Sequence, residues 1–429
     1  MAKKTTKSGR GFDVQCIKDE ILQELTLPKR YAFLNKNLAM VLEPEEMTFL
    51  QEVQRFCTKY EKKVDHTEDF FEWIPDFGAK GYVTRSYAFD ELGMDQQPNG
   101  LTYDLLRTLA TDFFDPQFTM SMGACVLAIN PLHAHHEGVE VRLQALRELA
   151  TGQAIGCICI TEPERGSDAT RMQTTCRRTD DGLYISGTKI FQTNGPKSKW
   201  AVVYASTEEG NPQTIAQALI EIPTDGFSVE RVNIPQVPRM WIGKETFENV
   251  FVPNDQIIGD VGTGMDRMFE GLAKERLGIA MMTLAECWGA VTHATIYANL
   301  REQMGHPILL HQGVGFTVTD MWAQTTNLTL ALLYTCQMFD RKVAKFGDEL
   351  PGAIKGAFVT SASQLKYQIA RLAESTCYEA ANLMGGAGVC DNTMMADLLG
   401  ISRLQEIGGG TRHIQQYILS RALRTLWKM

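Results

Sequence analysis

Apolar positions along the chain change their period twice. Up to about residue 153 they recur three and four apart, as in Leu50–Tyr60 (LQEVQRFCTKY) and Val141–Ala150 (VRLQALRELA), which predicts amphipathic helices. The first 35 residues stand apart. They are polar, begin with the basic head MAKKTTKSGR, and read as an N-terminal arm over 1–35 in front of a helical domain over 36–153. From 154 to 264 the pattern breaks into short β-rich runs: Ile155–Ile160, Leu183–Phe191, Trp200–Ala205, Thr214–Ile222 and Thr246–Val252. Turn signals such as Thr179-Asp180-Asp181-Gly182 and Asn194-Gly195-Pro196 separate them. Many short strands without helices between them predict an antiparallel barrel or sandwich. Past the glycine-rich Gly259–Gly264, helical spacing returns over 265–429, in the proline-free Met265–Met304 and in 312–346 and 352–384. Helices this long, apolar around most of the cylinder, must pack on one another as a bundle.

Composition narrows the class of protein. With 44% hydrophobic and 22% charged residues in 429, the chain is an ordinary globular one, which excludes disordered, collagenous and disulfide-stapled classes. Lys plus Arg number 42 against 51 Asp plus Glu, a net charge of −9, so the chain has no general attraction for nucleic acid or an anionic membrane. No apolar run approaches the ~20 residues of a membrane span. No apolar stretch follows the basic head to make a signal peptide. Ten cysteines without metal-type spacing read as reduced, mostly buried thiols in a cytoplasmic protein that holds no metal. His133, His135 and His136 read as solvated or capping residues.

Two segments carry candidate chemistry. Thr161–Asp168 (TEPERGSD) follows a strand-like run, and a strand entering Pro, Gly, Ser and Asp makes a tight turn whose N–H groups and hydroxyls can face a ligand. Gly187–Gly195 (GTKIFQTNG) reads as a strand ending in a turn, with Phe191 and Thr193 on one face and Gln192 on the other. A ring and a hydroxyl on one face suit a planar cofactor, although an ordinary core Phe beside a strand Thr has the same pattern.

Together the two segments resemble the acyl-CoA dehydrogenase family, whose hallmarks include a TEP-x-x-GSD turn and, further on, a G-x-K-x-[WF]-x-TN strand. The likeness continues in order through Glu245–Pro253 (ETFENVFVP), Lys274-Glu275-Arg276, Tyr297–Arg301, Gln312, Gly385–Gly388 and Gly410-Thr411, from about residue 40 to the C-terminus. It implies an α+β multidomain fold: an N-terminal helical domain, a central antiparallel β-barrel and a C-terminal four-helix bundle. It also implies FAD between barrel and bundle, an acyl-CoA substrate, a homotetramer, and an electron-transfer flavoprotein as electron acceptor. By this resemblance Ile158, Ile160 and Thr161 line the flavin, and Ser167 binds the FAD pyrophosphate and borders the substrate. Phe191 stacks near the isoalloxazine and Thr193 places its hydroxyl near N5. Arg301 and Gln312 reach the FAD of a neighbouring subunit, Gly385 and Gly386 admit the dinucleotide, and Thr411 and His413 border it.

Removing an α-proton beside a thioester needs a carboxylate in an apolar pocket, where desolvation strengthens it as a base. Many relatives carry that Glu just before the terminal Gly-Thr, but here the segment is Glu406-Ile407-Gly408-Gly409-Gly410-Thr411. Isovaleryl-type and long-chain-type members carry it instead on the first long helix of the bundle, followed by Arg, and this chain has Glu275-Arg276 there. Its helical neighbours Met268, Gly271, Leu272, Gly278, Ile279 and Met282 are all apolar or glycine. A salt-bridged Glu in a helix interface would show the same pattern; with the resemblance added, Glu275 reads as the base and Arg276 as its substrate-side neighbour. The Gly409 N–H, with the ribityl 2′-hydroxyl, would receive the thioester carbonyl as an oxyanion hole does. Three consecutive glycines suggest room for a branched or bulky acyl group. The implied function is FAD-dependent α,β-dehydrogenation of an acyl-CoA. The alternative is a same-fold flavoprotein performing a variant or non-oxidative elimination on an acyl-CoA, such as an alicyclic one.

Overall fold

The computed structural model describes residues 17–66, 69–87, 99–136, 138–347, 350–390 and 393–428. Among the described residues seven α-helices come first: α1 (Asp19–Glu24), α2 (Leu27–Leu38), α3 (Pro44–Tyr60), α4 (Ile74–Gly78), α5 (Leu101–Phe114), α6 (Pro116–His135) and α7 (Glu140–Ala150). The helix α3 begins at a reciprocal cap, Glu43 with Glu46, and α6 at Asp115, whose carboxylate accepts the Phe118 N–H. Ile17, Ile21, Leu25, Leu27, Tyr31 and Leu34 are buried in the main core. This corrects the expected 1–35 arm. From residue 17 on, this stretch is part of the helical body, held by an apolar stripe at helical spacing, and residues 1–16, with the basic head 1–10, lie outside the described residues.

Seven strands follow: β1 (Gly156–Cys159), β2 (Thr175–Arg178), β3 (Gly182–Thr193), β4 (Trp200–Ser206), β5 (Ile215–Glu221), β6 (Phe227–Val232) and β7 (Ile242–Pro253). They form one curled sheet, a half-barrel rather than the closed antiparallel barrel expected. Pairing runs from β5 through β4 to β1 and β2, then β3, β7 and β6, and β1 pairs β4 in parallel. Helices take the place of a closing strand pair. Every residue of β4 is buried: Trp200, Val202 and Tyr204 face the helical core, while Ala201, Val203 and Ala205 face the sheet's own core. The strand β6 is an edge with a half-exposed, partly charged sequence, a form that discourages further pairing.

The bundle contains α8 (Gly264–Leu300), α9 (Gln312–Phe346), α10 (Gly352–Met384), α11 (Met395–Ile407) and α12 (Arg412–Trp427). Trp288 Nε1 donates to Thr329 Oγ1 at 2.9 Å, which joins α9 to α8. Lys366 interacts with Glu275 and Cys377 with Cys287, so α10 runs parallel to α8.

Candidate active site

Two charged motif residues are fixed first by their surroundings. Glu162 and Lys189, buried residues of the TEP turn and the G-x-K strand, form an ion pair of 2.9 Å. Glu162 also accepts the N–H groups of Gln173 and Thr174 at 2.6 and 2.9 Å, and Lys189 donates to Ile160 O at 3.0 Å. The pair therefore binds the turn to β3. Asn194, in a left-handed conformation (φ 73°), donates to Ser121 O at 2.8 Å and ties the end of β3 to α6.

Between these anchors the sheet offers a half-buried edge of apolar side chains and hydroxyls. Ile158, Ile160, Thr161 and Thr193 are half-buried, and Phe191 is 58% exposed. The expected alternation along β3 does not place Phe191. Ile190 opposes Lys244 and Gln192 opposes Gly243, so Phe191 is the extra residue of a bulge, with φ 67°. An exposed aromatic held in a disfavoured backbone region is a strained feature of the kind found where a ligand is clasped. Gln192 turns inward and donates to Thr161 O at 3.3 Å. Ser167 is exposed on the turn, beside the Arg165–Asp168 pair.

Glu275 lies in the fourth turn of α8, partly shielded from solvent, and among the described residues its carboxyl makes no hydrogen bond or ion pair. Desolvation lifts its pKa from 4.5 to about 7, against the pull of Arg276 and Lys366. Tyr204 interacts with it from the sheet side, and Tyr204 stands on the same face of β4 as Val202, which is paired with Ile158. Base candidate and apolar edge thus share one face of the sheet.

Opposite Glu275 stands the Gly408–Gly410 turn. A Cβ on Gly409 (φ 61°) would lie 3.6 Å from the Glu275 carboxyl carbon and 2.6 Å from Ile279 Cδ1. A side chain at 409 and the Glu275–Ile279 face therefore compete for one space, which gives a physical reason for glycine there. Gly409 O accepts from Gln415 at 3.0 Å and Arg276 at 3.4 Å; Gly410 O accepts from Gln415 and Lys366, both at 2.8 Å. Among the described residues no acceptor meets the Gly409 N–H. Thr411 stands at the N-terminal boundary of α12 without a side-chain capping bond, and His413 is exposed on its first turn.

Arg301, Gln312, Gly385 and Gly386 gather at the other end of the bundle. At 1.5 Å per residue, Leu300 lies about 38 Å along α8 from Glu275. Gly385 and Gly386 follow α10 to that same end, and a Cβ on either would meet open space. The expected residues therefore form two groups a helix length apart.

Lys366 and Gln415, both buried, were not expected. A similar pattern surrounds Lys366: Val359, Ala362, Ile369, Ala370 and Ala373 at helical spacing are apolar, with Ser363 the one polar neighbour. Surface depressions over Arg177, Tyr184 and Asn249, and over Gln324, Tyr367 and Arg371, contain no carboxylate.

The description "Acyl-CoA dehydrogenase, C-terminal domain" matches residues 262–424, and "Acyl-CoA dehydrogenase, middle domain" matches 157–250. The chain is 30% identical to mitochondrial isovaleryl-CoA dehydrogenase of Oryza sativa subsp. japonica over 305 residues, 69% of this chain and 70% of the relative. With the protein of the same name from Arabidopsis thaliana it shares 24% identity over 412 residues, 92% of this chain and 95% of that one. The solved butyryl-CoA dehydrogenase of Megasphaera elsdenii superposes with a TM-score of 0.79 at 23% identity, covering 89% of this chain and 98% of that one.

Proposed function

This chain belongs to the acyl-CoA dehydrogenase family, and on that premise we propose that it oxidises an acyl-CoA thioester to the enoyl-CoA with FAD as cofactor and Glu275 as base. One observation carries the residue assignment. Glu275 has no bonded partner among the described residues, its pKa is lifted to about 7, and it faces a glycine turn with a spare N–H.

The residues present fit a flavin. The half-buried Ile158, Ile160, Thr161 and Thr193 and the outward Phe191 offer an apolar edge with hydroxyls, and Ser167 and Thr411 offer polar contacts beyond it. FAD, when bound, supplies the acceptor for the hydride leaving the β-carbon. Glu275 takes the α-proton, and its unpaired carboxylate is free to do so once ionised, above about pH 7. Gly409 donates its N–H toward the thioester oxygen, favouring enolate charge. Arg276 and Gln415 hold the turn by its carbonyls.

Arg301, Gln312, Gly385 and Gly386 lie too far from Glu275 to share one flavin with it, which supports their serving a second subunit of a homotetramer. Exposed Tyr417, Leu423, Leu426 and Trp427 along α12 give such an assembly apolar surface to bury. An electron-transfer flavoprotein would receive the electrons. The eight buried free thiols among the described residues fit a reducing, cytoplasmic setting. The glycine turn and the relatives named isovaleryl-CoA dehydrogenase support a branched acyl group.

Anaerobic titration of the purified yellow protein with straight, branched, cyclic and dicarboxylic acyl-CoAs should bleach the flavin with one class. Glu275→Gln should keep FAD and bind acyl-CoA yet slow bleaching about 10²–10⁴-fold. Bleaching at the parent rate would assign the base elsewhere.

A further inference from the structure

Lys366 is among the largest fully buried side chains of the molecule, and the reaction as described gives it no task. It donates to Glu406 O at 2.7 Å and to Gly410 O at 2.8 Å, the two carbonyls that bracket Gly408 and Gly409. That turn has no side chains to pack and two left-handed residues, Gly409 (φ 61°) and Gly410 (φ 95°), so hydrogen bonds to its carbonyls are what order it. The ammonium also acts on the Glu275 carboxyl across the helix interface.

We propose that Lys366 is the positioning residue of this site: its ammonium clasps the glycine turn beside the base through Glu406 O and Gly410 O, and its positive charge favours the ionised base. The inference rests on Glu275 being that base. The charged and titratable groups around the pair are Arg276 on α8, Tyr204 on β4 and Glu406 on α11. Arg276 opposes the Lys366 charge, whereas Glu406 supports it.

Two limbs follow in the pH profile of kcat/KM. Glu275 must lose its proton, at about 7. Lys366 must keep its own, which burial lowers to about 8. Removing the cation leaves the Glu275 anion less stabilised, so the acidic limb moves to higher pH.

The test compares Lys366→Met and Lys366→Gln as flavin-loaded holoenzymes. Lys366→Met removes donors and charge. It should lower kcat about tenfold or more, raise the acidic limb by roughly one pH unit, remove the limb near 8, and speed amide exchange over residues 404–412. Lys366→Gln restores a donor without charge, so exchange should slow again while the acidic limb stays displaced. Should Lys366→Met fail to retain flavin, Lys366→Gln alone reads the charge. An acidic limb and 404–412 protection that match the parent in both variants overturn the proposal, even if both melt earlier. If Glu275→Gln still bleaches at the parent rate, the base assignment fails instead, and the two failures are distinguishable.

Discussion

Two glutamates show how one fold makes opposite uses of desolvation. Glu162, in the sheet, is buried with Lys189 and receives two backbone N–H groups as well. Burial by itself would raise its pKa, but the Lys189 ammonium and the donated N–H groups reverse this and hold the carboxyl below its usual range. Glu275, in the bundle and partly shielded, is desolvated with no bonded partner among the described residues, and its pKa rises to about 7. Where donors are supplied, a buried carboxylate is a fixed anion that fastens two segments. Where they are withheld, it becomes a proton acceptor poised near neutrality.

The comparison breaks most visibly at Lys189. Lys189→Met leaves Glu162 buried and uncompensated and should destabilise the fold by about 3–5 kcal/mol. Adding Glu162→Gln should recover much of that loss, because no charge then remains to be paired. Denaturant unfolding of the two single variants and the double reads the coupling directly. A Lys189→Met loss that the second substitution leaves unchanged would mean that packing, not charge, fastens the turn.

Glu275→Gln should behave in the opposite sense. A carboxyl with pKa 4.5 unfolded and about 7 folded binds more protons in the native state between those values, so its contribution to stability falls as pH rises through that window. The full penalty, up to about 3 kcal/mol, is present above pH 7 and absent below 4.5. The Gln variant should therefore match the parent at pH 4 and exceed it at pH 8, measured by unfolding across that range. Equal stability at both ends would mean that the carboxyl is solvated and no tuned base.

The role of Gly409 sharpens the same contrast. Gly409→Ala puts a Cβ against Ile279 Cδ1 in a left-handed residue, with an expected cost of about 1–2 kcal/mol. Because that Cβ also stands beside the Glu275 carboxyl, activity should fall further than stability. Ile279→Val in the same chain, shortening the side chain at the contact, should return part of both. If it returns neither, the backbone conformation alone decides the position.

Much of this was legible in the residues. The two changes of period mark the sheet and the bundle, and the apolar ring around Glu275 separates it from the surface acids. What escaped depended on contacts between distant segments. The strands β2 (TCRR) and β6 (FSVERV) are short and charged, so only pairing with β3 and β7 makes them strands. The openness of the sheet follows from helices covering β1 and β4, which no local pattern records. Ile17, Ile21 and Leu25 do stand at helical spacing, but the polar, basic head masked them. Lys366 lies in a mostly apolar ring, broken by Ser363, and its role depends on the distant Glu406 and Gly410 carbonyls, which no local pattern records.

Phe191 offers the smallest effect and the finest separation of binding from folding. Its φ of 67° disfavours any side chain, and its ring, largely in solvent, returns little packing in this chain alone. Phe191→Gly relieves the backbone, and the flexibility it adds to the unfolded chain offsets part of the gain. The apoprotein should be stabilised by about 1 kcal/mol or less. The same change removes the only ring that the bulge turns outward, so FAD should bind more weakly and the stabilisation that added FAD gives should shrink. Thermal unfolding of parent and variant, each with and without FAD, reads both quantities. A variant that loses stability as apoprotein and keeps its full response to FAD would make the bulge a device of the sheet, with the Phe191 ring incidental to the flavin.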